Sequence, residues 1–124
     1  MSGLKTLLLA MGLLSAAPLT ASGGIEFIFA GCVGRYSAQM EHAWLLGQNA
    51  EDEEEKREVF LSLLEATMDA EQAEQVLAHR IASKMSQASL LTVAEFATDT
   101  DTATRAVELS QSEIQGCRSL LLDS

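Results

Sequence analysis

The sequence predicts an all-α fold: a compact bundle of four to five helices whose N- and C-terminal helices are joined by a disulfide. Three observations carry this expectation. Apolar types make up 48% of the chain and aromatics only 5%, in a sequence rich in Ala, Leu and Glu that lacks the alternation strands require. Apolar residues instead recur at three- and four-residue spacing, the period of a helix with one buried face. Two cysteines, Cys32 and Cys117, stand far apart in the chain and have only each other to pair with.

Residues 1–23 read as a signal peptide. Lys5 supplies a positive start, Thr6 to Leu19 is uncharged and mostly apolar, and small residues follow through Thr20, Ala21, Ser22 and Gly23. The apolar run is shorter than the roughly 20 residues that span a bilayer. Cleavage after Ala21 or Gly23 leaves a single helical domain over 24–124. The 18 acids all remain, and losing Lys5 takes the formal charge from -10 to -11. The expected location is periplasmic or secreted, with no membrane attachment after cleavage. A rival reading takes Phe29-Ala30-Gly31-Cys32 as a lipidation signal. Gly23, Gly24 and Glu26 interrupt its apolar run, and lipidation would leave Cys117 without a partner.

An oxidising compartment makes the Cys32–Cys117 pair a structural staple. Closing a loop of this length is worth about 4 to 5 kcal/mol in the chain-entropy account. The cysteines lack a CxxC spacing, which argues against a redox-active pair. Gly31, Gly34 and Gly116 flank them. A bridge needs Cα atoms closer than helices normally approach, and glycines would permit that approach.

The first helix is expected over about 26–46. Phe29, Cys32, Val33, Tyr36, Met40, Ala43 and Trp44 form its apolar stripe, and Gly47 ends it. The second runs over about 50–68 behind an Asn49 cap, with Glu51, Asp52, Glu53, Glu54 and Glu55 at the end where the helix dipole favours negative charge. Val59, Phe60, Leu63 and Leu64 make its apolar face. Asp69 and Gln72 pair as a capping box for a third stretch, in which Val76, Leu77, Ile81, Met85, Ala88 and Leu91 continue one face.

No Gly or Pro interrupts 69–98, yet one helix of that length would outrun a domain this small. A break is therefore expected between Ser83 and Ser89, with Leu90, Leu91, Val93, Ala94 and Phe96 forming a short buried helix. The Thr98–Thr102 run is a turn and cap. A final helix over about 101–121 sets Val107, Ile114, Cys117 and Leu121 on one side, with Ala103, Ala106 and Ser110 as small packing residues. It should pack antiparallel to the first.

Most chemistry is disfavoured. With 18 acidic and 8 basic side chains, the chain offers no basic face to replace phosphate counterions, so no nucleic-acid partner is expected. A calcium loop starting at Asp99 fails because its glycine position is Thr104 and its closing acid position is Ser110. Met40, Glu41, His42, His79 and Met85 contain no metal-binding motif, so no metal and no cofactor is expected. Neither a GxSxG nucleophile nor a phosphate-binding glycine loop occurs, and no catalytic residue is assigned.

One segment stands apart. Gly34–Trp44 packs Arg35, Tyr36, His42 and the only Trp into a few residues, and Arg and aromatics are enriched at binding hot spots. Arg35, His42 and Trp44 are accordingly the candidate interaction residues. The structural alternative places Tyr36 and Trp44 in the core, pairs Arg35 with an acid such as Glu113 and leaves His42 half exposed. The functional expectation is a non-enzymatic exported protein acting as a protein-interaction or structural module toward an unidentified protein partner. The alternative is a small-ligand or metal-binding periplasmic protein.

Overall fold

The computed structural model of the chain describes residues 24–121, so the expected signal peptide lies outside the described residues. It holds α1 (Ile25–Leu45), α2 (Glu51–Thr67), a single 3-10 turn at Ala70–Gln72, α3 (Ala73–Phe96) and α4 (Thr100–Arg118), and no strand among the described residues. The all-α bundle predicted from the sequence is the fold observed.

Chain punctuation explains where the helices stop. Gly47, at φ 70, takes the left-handed turn that ends α1. Asn49 Oδ1 accepts from Glu51 N–H at 2.8 Å at the start of α2. Asp69 Oδ1 accepts from Glu71 N–H, but Gln72 Oε1 returns no bond, so only half of the expected capping box forms. Asp99 Oδ2 accepts from Thr102 N–H at 3.0 Å and from its hydroxyl, making the predicted cap of α4. These hydrogen bonds hold the Asp99 carboxyl below its ordinary pKa, the hydroxyl contributing most.

Helix α1 is the central element, packing against α2, α3 and α4. Against α2 it sets Phe29 and Tyr36 on Phe60, the latter pair stacked with centroids 5.8 Å apart. Cys32, Val33, Leu64, Val76, Ile114 and Cys117 complete the main core. Ser37 donates to the Val33 carbonyl and accepts from Arg57 Nε, tying a buried hydroxyl to both helices. The Cys32–Cys117 bridge spans 5.6 Å between Cα atoms. It joins the first turns of α1 to the last turn of α4. Arg35 meets Glu113 one turn further along α1 and one turn earlier on α4, so these helices run antiparallel, as expected.

The flanking glycines act elsewhere than expected. A Cβ on Gly34 would lie 2.3 Å from the Arg80 carbonyl oxygen, and one on Gly31 would press on His79 and Ser83; one on Gly116 would meet nothing within 4 Å. Gly34 therefore allows α1 and α3 to approach; it does not serve the α1–α4 contact that carries the bridge.

The expected break in the third stretch does not occur. Helix α3 is continuous for 24 residues, about 36 Å at 1.5 Å per residue. It stays unbroken because nothing in it forbids helical geometry, and it lies along α1 before contacting α4. Ser83 is buried against Gly31 and does not act as a breaker. Leu90, Leu91, Val93 and Ala94 are only half-buried, and Phe96 is exposed, so no deeply buried short helix forms.

Candidate functional site

The three candidate residues on α1 do not converge. Arg35 is half-buried, its Nε 3.0 Å from Glu113 Oε2 and its Nη1 3.8 Å from Cys117 Sγ, so the alternative pairing with Glu113 is the one made. His42 is half-buried two helical turns along, at the last turn of α1. Trp44 lies nine residues from Arg35, on the opposite side of a helix with 100° per residue. It is 55% exposed and is not a core aromatic. Tyr36 is the aromatic that enters the core, at 1% exposure.

The histidines do not meet either. His79 packs edge-on against Phe27 and lies beside Gly31, about 16 Å along α1 from His42 at 1.5 Å per residue. Among the described residues no group of three His, Cys, Asp or Glu could hold a metal ion. His79, Ser83, Ser86, Gln87, Arg35 and Glu113 line a recess of about 250 Å³.

Helix α3 holds a feature that periodicity alone misassigned. The apolar spacing puts Val76, Leu77, Ile81, Met85, Ala88 and Leu91 on one expected face, of which Ala88 and Leu91 are half-buried. Only Val76 is buried; Leu77 is 52%, Ile81 53% and Met85 65% exposed. The residues turned inward are Val76, Ser83 and Gln87. Gln87 Nε2 donates to the Ser110 carbonyl at 3.1 Å, and its Oε1 is buried without a partner. The helix is thus turned with small and polar groups against α1 and α4 and with an apolar row outward.

That orientation follows from the backbone contact at Gly34. Arg80 and Lys84 backbone atoms must face α1 closely, which puts positions 76, 80, 83 and 87 on the inside and positions 77, 81 and 85 about a quarter to a half turn away. Lys84 then reaches Glu41 across the contact, with 2.6 Å between their charged atoms. At the α2 end, Leu61, Leu64 and Met68 with Ala73, Val76 and Leu77 line an apolar groove of about 240 Å³ that runs into the exposed row.

A second surface lies between α1 and α4. A cleft of about 620 Å³ is lined by Gln39, Glu108, Gln111, Gln115 and Arg118, with Ser110, Ser112 and Ile114. Arg118 follows the bridged Cys117 on α4. Its guanidinium sits beside the Tyr36 hydroxyl and interacts with it. Burial raises the Tyr36 pKa, opposed by Arg118 and Lys56. Lys56 is itself raised, chiefly by its bond to Asp52.

Fold and surfaces together define a disulfide-closed four-helix protein with one outward apolar helix face and one polar cleft. Comparison with protein-family models, curated proteins and solved structures found no match for this chain. Among the described residues no helix is long and apolar enough to cross a membrane.

Proposed function

We propose that the chain is an exported, non-catalytic interaction module, periplasmic or secreted, that docks a protein partner on the outer face of α3. The observation that carries this reading is the inverted helix: α3 buries Ser83 and Gln87 while exposing Leu77, Ile81 and Met85. These three lie at i, i+4 and i+8, a strip about 12 Å long, and contiguous exposed apolar strips mark interaction sites. The occupant proposed is an amphipathic helix of the partner, which reads anchors at this spacing. Trp44 and Leu45, 55% and 71% exposed at the end of α1, are further anchors on the same protein but not on the same helix. The disulfide supports an oxidising compartment.

The test is site-specific photo-crosslinking in the exporting host. A photoreactive residue at position 81 should give one discrete adduct, lost when Leu77→Asp is added; the same probe at position 112 should give none. No adduct at position 81, or equal adducts at both positions, would refute the docking face. An adduct with the mass of a second copy would replace the partner by self-association.

A further inference from the structure

We infer that the groove between α2 and α3 seats a partner helix whose flank toward α2 carries lysine or arginine. The inference rests on the docking reading above and adds the chemistry of the partner.

The groove exists because α2 and α3 both pack on α1 while their backbones stay apart from one another. Leu61, Leu64 and Met68 form one wall, and Ala73, Val76 and Leu77 the other. Leu64 and Val76 at its base are buried, whereas Met68 and Leu77 at its rim are exposed. Leu77 also belongs to the outward row of α3, so an apolar helix face laid on Leu77, Ile81 and Met85 reaches the groove without a break. An amphipathic helix fills such a trough with anchors one turn apart.

The two rims differ in charge. At 100° per residue, Glu54, Glu58 and Glu65 fall within the same arc of about 80° as Leu61 and Met68, which face the groove. All three glutamates are exposed. The bases of α2 do not neutralise this rim. Lys56 bonds Asp52 on the other side of the helix. Arg57 meets Glu58 at 2.9 Å but gives its Nε to Ser37 of α1. Among the described residues Glu54 and Glu65 make no ion pair.

On the α3 rim, Lys84 is already held by Glu41, and Arg80 alone is available to an incoming acid. An acidic wall above an apolar floor is complemented by a helix with an apolar face and a basic flank. The formal charge of -10 steers a partner of the same sign toward it.

The experiment titrates the oxidised, processed protein with two synthetic amphipathic peptides, each about five helical turns long. They share a leucine face and carry only lysine or only glutamate elsewhere; NMR amide shifts give the site and the affinity. The lysine peptide should give saturable shifts at Leu61, Met68 and Leu77. Glu54→Gln/Glu58→Gln/Glu65→Gln should weaken it about tenfold. Glu55→Gln/Asp101→Asn/Glu108→Gln removes as much charge from exposed positions elsewhere and should change it less than about twofold. Equal weakening by both triple variants would overturn the inference, since net charge alone would then act. A glutamate peptide binding as tightly as the lysine peptide would overturn it too. No saturable shift in a protein that still gives the adduct at position 81 would overturn the basic partner and leave the docking face standing. Loss of that adduct would remove the docking face itself and the inference with it.

Discussion

Replacing Gly34 with alanine should destabilise the protein even though alanine is the better helix former. The added Cβ would lie 2.3 Å from the Arg80 carbonyl oxygen and 2.9 Å from the Lys84 backbone nitrogen. Both obstacles are backbone, so no rotamer change relieves them. Restoring ordinary contact at carbon–oxygen distances requires α1 and α3 to separate by about 1 Å, which loosens Ala30, Val33 and Ala38, all buried. Obstacles made of backbone take the upper part of the cost of overpacking, about 2–3 kcal/mol, against a helix-propensity gain of about 1 kcal/mol.

The net expectation for Gly34→Ala is a loss of about 1–2 kcal/mol, with Tm lowered by about 4–16 °C at 4–8 °C per kcal/mol. Gly116→Ala is the matched control. It lies inside α4 with nothing within 4 Å of the added Cβ, so only the propensity gain remains and Tm should rise by about 4–8 °C. Thermal melts of the oxidised proteins by circular dichroism measure both. If Gly34→Ala melts at or above the parent, or if both substitutions shift Tm in the same direction, the close α1–α3 packing is wrong.

Three further outcomes follow from the same geometry. The Cys32→Ala/Cys117→Ala double variant should lose about 4–5 kcal/mol in urea denaturation. That is a large share of the 5–15 kcal/mol typical of a domain; a loss below about 1 kcal/mol would remove the staple from the account. Tyr36 is the only tyrosine, so its absorbance titration reports one group. Its ionisation should lie above the ordinary tyrosine range because burial disfavours the phenolate, and stability from this group should be full below that range and fall as alkaline pH passes through the folded pKa. The Asp99 carboxyl is depressed by Thr102, so its contribution is present above the ordinary aspartate pKa and fades as pH falls through the lowered one. Asp99→Ala should therefore lower Tm at neutral pH, with the gap to the parent narrowing in acid.

Much of the fold is legible in the residues because local chemistry decides it. Gly47 and Asp99 mark helix ends through their own backbone and side-chain preferences. Cys32 had one partner to choose, and Phe29, Val33, Tyr36 and Met40 form one stripe because α1 is covered on most sides. Orientation of α3 was not legible in the same way. Leu77, Ile81 and Met85 share a helical face, but a wheel does not say which neighbour that face meets; the backbone contact at Gly34 decides it, and turns Ser83 and Gln87 inward.

The unbroken α3 teaches a related point. A cluster of serines in the sequence suggests an interruption, while the effect of a serine depends on what it touches, and Ser83 packs against Gly31. At the candidate sites, Arg35, His42 and Trp44 stand out by type within one short segment, and the helix distributes them around its circumference. Arg118 carried no local signal. Its distinction is the Tyr36 hydroxyl beside it, which comes from a segment distant in sequence. Only the tertiary fold brings the two together.

The functional proposal rests on a chain that is exported, trimmed and closed by Cys32–Cys117. The intact mass of the protein recovered from its exporting host tests it directly. The account predicts a chain beginning near Ser22 or Gly24 and two hydrogens lighter than its reduced form. A chain beginning at an acylated Cys32 would contradict it, since Cys117 would then be free and α1 would lose its first turns together with the staple.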